Sequence, residues 1–166
     1  MATVKSTWIT NATASPVVLT DSNQSASYCK VAKSVATVSA TQTSGDIIRL
    51  VRVPSNARID QVLLSTADAT TAGAIDIGVY QTDANGGAVV DADLFASALA
   101  LTGGPFNNSD QTFESGEYTY AESALPLWQV LGLTADSNRD YDICATVTTT
   151  GNGMGTTMAL AVRYGI

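Results

Sequence analysis

From Ala74 to Gln81 apolar and polar residues alternate without a break, Ile75, Ile77 and Val79 against Asp76, Gly78 and Tyr80. A helix would scatter the three aliphatic side chains around its axis, whereas a strand sets them on one face. The pattern returns near the end of the chain. Tyr141, Ile143, Ala145 and Val147 alternate with Asp140, Asp142, Cys144 and Thr146, and Met158, Leu160, Val162 and Tyr164 alternate with Ala159, Ala161 and Arg163. Lys30 to Ser39, Ile47 to Val53 and Arg58 to Ser65 read as further strands. Ser44-Gly45-Asp46 and Pro54-Ser55-Asn56 supply turn chemistry, Pro fixing φ and Gly or Asn tolerating positive φ. Many short strands with close turns predict an all-β fold: two antiparallel sheets packed face to face, with Ile75, Ile77, Val79, Tyr141, Ile143, Val147, Met158, Leu160 and Val162 turned inward.

Two segments break the alternation and read as short helical insertions. One begins at Asp91, its expected N-cap, and carries Leu94, Phe95, Ala98 and Leu99 at helical spacing. The other runs from Ser123, as cap, to Leu131, with Pro126 in the first turn and Gly132 placed to end it. The chain before Ser27 is different again. It is polar and rich in turn formers, and only Trp8, Ile9, Val17, Val18 and Leu19 could bury anything. The sequence therefore divides into an extended N-terminal arm, residues 1–27, and a β-sandwich domain, residues 28–166. The five apolar arm residues are candidates for clasping a partner, and a frayed end is the other reading.

The chain has 166 residues, enough for a single domain with a real core. Fifteen carboxylates against eight basic residues give a net charge of −7. Such a field repels phosphate backbones and anionic lipid, so neither nucleic acid nor membrane is an expected partner. The opening residues lack a basic start followed by an apolar stretch, and no run is long and apolar enough to span a bilayer, which predicts a soluble protein made in the cytoplasm. Cys29 and Cys144 are far apart and neither sits in a C-x-x-C pair, so no disulfide framework or zinc site is expected. The sequons at Asn11, Asn23 and Asn107 reflect a Ser/Thr-rich composition.

The chain contains no histidine, which removes the commonest general base and metal ligand. No nucleophile elbow or phosphate loop is present. Gly151-Asn152-Gly153-Met154-Gly155 lies between two expected strands and reads as a hairpin loop. Asp83, Asn85, Asp91 and Asp93 around Gly86 form the best cation candidate, but an EF-hand register puts Gln81 first and Ala92 at the bidentate position. Turn and cap roles account for each of these residues separately, and no metal or cofactor is expected. Asp140 and Asp142 share a strand face as catalytic carboxylates could, yet beside Arg139 they read as a solvated face. Phe113, Tyr118, Tyr120 and Trp128 raise a sugar-stacking platform, against which Trp128, between Leu127 and Leu131, reads as core. No enzyme is indicated.

Several stretches have a familiar cast. Ser44-Gly45-Asp46-Ile47-Ile48-Arg49-Leu50-Val51-Arg52-Val53-Pro54 with Ala57-Arg58-Ile59, then Ile75 to Tyr80, Asp91 to Ala96, Leu127 to Leu133 before Tyr141-Asp142, and Gly155 to Tyr164, together resemble the jelly-roll-type decoration, or cement, proteins of tailed bacteriophages. The resemblance covers most of Ser44 to Ile166 and none of the arm. It implies a jelly-roll sandwich without catalytic residues, bound outside an assembled capsid across neighbouring copies of the major capsid protein, in a virion assembled in a bacterial host. Open sheet edges must be covered or used, so association with copies of itself is also expected, as dimer or trimer. The alternative is a carbohydrate-binding or tail-associated sandwich, which needs exposed coplanar aromatics.

Overall fold

The computed structural model describes residues 14–16, 29–38, 42–66, 72–102, 105–149 and 157–166. Among these residues eight strands form two antiparallel four-stranded sheets. They are β1 (Lys30–Thr37), β2 (Ile47–Pro54), β3 (Arg58–Thr66), β4 (Ala74–Gln81), β5 (Val89–Ala100), β6 (Ser109–Asp110), β7 (Asp140–Thr149) and β8 (Thr157–Gly165). One sheet has the order β1-β8-β3-β6 and the other β2-β7-β4-β5. Chain neighbours therefore rarely pair, and β4–β5 alone is a within-sheet connection between consecutive strands. The first four strands are matched in reverse to the last four, as in one long antiparallel ribbon rolled into two layers.

The alternation does what period two requires. All nine residues expected to point inward are buried between the sheets, joined by Val53, Ile59, Val62, Leu64 and Phe95. Burying each Val, Leu or Ile side chain contributes roughly 1.5–3 kcal/mol, so these two facing rows supply the main driving force. Tyr118 fills the same core. Its ring meets Phe95 edge-on at 5.1 Å, and its hydroxyl donates to the Ile59 carbonyl at 2.7 Å. The hydroxyl thus enters the core with its donor satisfied.

The turns behave as their residues dictate. Gly45 has φ 94°, the left-handed conformation that costs glycine nothing. Asp46 N–H donates to the Thr43 carbonyl at 3.0 Å, and Ala57 N–H to the Pro54 carbonyl at 3.0 Å.

Three expectations are corrected. The segment from Asp91 is strand β5, not a helix. Its pairing with β4 shifts register three times, so extra residues loop out and Leu94, Phe95 and Ala96 are buried in succession. Bulges of this kind imitate helical spacing. Asp91 caps nothing; its carboxylate accepts from Asp93 N–H at 3.3 Å within the strand. Other carboxylates satisfy the outlying amides of β5, Asp76 receiving Ala98 N–H at 2.7 Å and Glu114 receiving Ser97 N–H at 2.9 Å.

The second expected helix is broken in two. A 3-10 turn at Glu122–Ala124 is followed by extended Leu125 and Pro126, and α1 spans only Leu127–Val130. The residue before a proline is pushed out of the helical region, which explains the break at Leu125. Ser123 is not the cap, and its hydroxyl donates to the Tyr120 carbonyl instead. Gly132 does end the helix, at φ 71°, with Leu133 N–H returning to the Trp128 carbonyl at 3.0 Å. Finally, β7 and β8 lie in different sheets and so are not the two arms of a hairpin; the glycine-rich residues 151–155 between them lie outside the described residues.

Candidate interaction surface

The apolar arm residues Trp8, Ile9, Val17, Val18 and Leu19 lie outside the described residues. The remaining candidates fall on the sandwich.

Asp142 is the clearest departure from expectation. It faces outward from β7, yet it is buried, because Arg49 and Arg52 of the neighbouring β2 close over it. Arg52 binds it with two nitrogens, at 2.7 and 3.2 Å, and Arg49 Nη1 reaches it at 3.0 Å. Arg49 also donates to the carbonyls of Gln81 at 2.8 Å and Gly87 at 2.9 Å, and contacts Asp83 at 3.2 Å. The hydrogen bonds and charge of Asp142 hold the Arg52 guanidinium even more firmly protonated than usual. Arg49, Arg52, Asp83 and Asp142 line a shallow cleft of about 390 Å³. Its charges are spent on one another, so it ties β2, β7 and the β4–β5 turn together and offers little to a ligand. Asp140, at the strand end, is exposed as expected.

Beneath this network the outer face of the sheet is covered too. Tyr80 and Cys144 are buried on it, and the Tyr80 hydroxyl meets Thr146 Oγ1 at 2.5 Å. Burial pushes the Cys144 thiol up to about 12, so it stays protonated and unreactive at neutral pH. Cys29 is exposed.

The candidate cation group is divided. Asp83 turns to Arg49, and Asn85 donates to the Thr82 hydroxyl at 2.9 Å in the 3-10 turn that Gly86 ends. Asp91 and Asp93 instead meet Glu117, which no spacing in the chain links to them, with carboxylate oxygens within 4.8 Å of one another. The charges of Asp93 and Asp91 raise the Glu117 carboxyl above its ordinary 4.5, and burial raises Asp91 above 3.8. A carboxyl whose folded value is raised binds its proton more tightly folded than unfolded. It favours the fold below its ordinary value and loses that contribution as pH rises through the raised one. Glu117→Gln is therefore expected to raise the melting temperature at pH 7, with the gain fading as pH falls below 4.5, where the Glu117 carboxyl takes up its proton in both states. Thermal melts of both proteins across that range check this; a gain that does not change with pH rules out charge repulsion as its source.

The aromatic residues do not make a platform. Tyr118 is buried, and Phe113 stacks on it at 5.8 Å and 11°. Tyr120 stands alone, 84% exposed. Trp128 is half-buried and not a core residue; on its single helical turn Leu127 takes the inward position. With Asn56, Arg58, Leu125, Pro126, Gln129 and Ile166, Trp128 lines a cleft of about 420 Å³ at one end of the sandwich.

The alternation of β1 is too weak in sequence to assign its faces, and the structure does so. Val31, Lys33 and Val35 project outward from it while Ala32 and Ala36 pack on the core. Lys33 and Val35 stand opposite Ala161 and Ala159 of β8. Among the described residues no strand pairs with the other edge of β1.

No family model and no curated protein matches the chain. Among solved structures, a chain of the cyanophage Pam1 capsid asymmetric unit is similar over 82% of this chain and 83% of its own length, at 13% sequence identity and a TM-score of 0.44. Among the described residues no helix is long and apolar enough to cross a membrane.

Proposed function

We propose that this protein is a non-enzymatic decoration, or cement, protein of a tailed bacteriophage, which binds the outer surface of the assembled capsid through the major capsid protein and stabilises it. The observation that carries the reading is the strand order, β1-β8-β3-β6 over β2-β7-β4-β5. It supports the jelly-roll class that the resemblance of the Ser44–Ile166 segments implies. A non-catalytic role is supported by the lack of histidine in the sequence and by Asp142, one of the two carboxylates weighed as catalytic, being held by two arginines. A clamp that binds only the assembled shell shifts the equilibrium toward it by mass action, multiplied over many symmetry-related copies.

Full-length protein mixed with undecorated capsids is expected to sediment with them and to raise the temperature of genome release. A form starting at residue 28 is expected to bind more weakly, because Trp8, Ile9 and Val17 to Leu19 are lost. Failure of the full-length protein to sediment or protect overturns the decoration role. Equal performance of the shortened form removes only the arm from it. The Trp128 cleft, with Asn56, Arg58 and Gln129 beside the indole, favours a sugar-binding module as second reading. Quenching or a shift of tryptophan emission on titration with capsular or cell-wall saccharides, without capsid binding, is the result that reading requires.

A further inference from the structure

The two long sides of the sandwich carry opposite charge. On one side β1 and β2, the outer strands of the two sheets, lie against each other. β1 holds the exposed Lys30 and Lys33 and no carboxylate, while Arg49 and Arg52 of β2 are engaged with Asp142 and Asp83. On the other side β5, β6 and the segment running to Glu117 hold Asp91, Asp93, Asp110, Glu114 and Glu117 and no basic residue. That segment is fixed to the β5 side, Ser115 N–H donating to the Phe95 carbonyl at 3.0 Å and Tyr118 N–H to the Leu94 carbonyl at 3.2 Å.

Each side also exposes large apolar residues. On the basic side Val31 is 48%, Val35 67% and Ile47 46% exposed; on the acidic side Val89 is 57%, Val90 37% and Phe113 44% exposed. Lysine on an edge strand is a common guard against pairing with a copy of the same edge. Here Lys33 sits between two exposed valines, so β1 repels another β1 while keeping apolar surface for a partner of the opposite charge. The carboxylates of Asp91, Asp93 and Glu117, crowded within 4.8 Å, repel one another and lack a basic residue on their own side.

We propose that the protein assembles head to tail with copies of itself, the β1/β2 side of one copy docking on the β5/β6 side of the next. Lys30 and Lys33 then supply the missing positive charge to the Asp91–Asp93–Glu117 group, and the two sets of exposed valines cover each other. A two-fold contact would set lysine against lysine or carboxylate against carboxylate, so complementarity selects the heterologous arrangement, which closes into a ring when the rotation between copies permits. Self-association of this kind does not require a capsid.

The test is charge exchange in the full chain, followed by sedimentation velocity and native mass spectrometry, with thermal melts to show that each variant folds. The unaltered protein is expected to form oligomers at low salt that dissociate as salt rises. Lys33→Glu and Glu117→Lys are each expected to weaken association by roughly tenfold or more, since each sets like charges against each other across the contact. The double variant, which exchanges the charges across a heterologous contact, is expected to recover it. Monomers at low salt and high protein concentration, indifference to either single reversal, or a double variant no better than the singles overturns the proposal. The last result in particular marks a two-fold contact, where the double exchange still opposes like charges.

Discussion

Gly78→Ala is expected to destabilise the fold by about 3 kcal/mol or more, at the upper end of what overfilling a packed site costs. Gly78 lies in the middle of β4, between β7 and β5, where its alternation partners Ile77 and Val79 face the core. The missing side chain would point to the opposite face, which the sequence pattern suggests is open. It is not. The register shifts of β5 fold its backbone back over β4, and a Cβ on Gly78 would collide with the Asp91 carbonyl and with Ala92. The obstacle is main chain and not the tip of a flexible side chain, so relief requires moving β5 together with Leu94 and Phe95, which are buried in the core. Equilibrium denaturation compared with the unaltered protein measures the loss. A difference below about 0.5 kcal/mol, the range of an ordinary surface substitution, would mean that β5 does not cover β4 in this way.

The same strand marks the limit of what can be read from the chain. Alternation placed Ile75, Ile77, Val79, Ile143, Leu160 and Val162 inside because one buried face is enough to impose period two. It carries no record of what covers the second face, and Gly78, Tyr80, Asp142 and Cys144, written in the polar half of the pattern, are buried all the same. Nor does it record which strands pair. β1 lies against β8, more than a hundred residues away, and their match depends on the rolled ribbon as a whole. β5 imitates a helix in sequence because its bulges replace period two with a spacing close to that of a helix. Leu127 and Trp128 are adjacent on one turn, and which of them faces inward is decided by docking: Leu127 N–H donates to the Ala57 carbonyl at 2.8 Å and Trp128 N–H to that of Ser55 at 2.9 Å. The charged sides are plain in composition once the strand order is known, but opposite edges of a sheet cannot be told apart before it.

Asp142→Ala is the second substitution with a large expected effect, a loss of about 2–3 kcal/mol. Removing one partner from a fully buried ion pair costs roughly 3–5 kcal/mol, because the remaining charge is stranded. Here the cost is smaller. The Asp142 side chain is 6% exposed, but Arg49 is 26% and Arg52 55% exposed, so water recovers part of what they lose. Arg49 also keeps its bonds to Gln81 and Gly87. Asp142→Asn keeps the shape and removes the charge, so a smaller loss there separates packing from electrostatics. Replacing Arg52 alone is expected to cost under about 1 kcal/mol, the usual size for a half-exposed partner. In combination with Asp142→Ala it should cost almost nothing more, because their interaction is already gone. Salt distinguishes the buried pair from the surface one. Asp83 is 80% exposed where it meets Arg49, so any loss on Asp83→Ala should shrink in 1 M salt, where charges are screened within about 3 Å. The loss on Asp142→Ala should largely persist, since little solvent enters between Asp142 and the guanidinium groups that cover it.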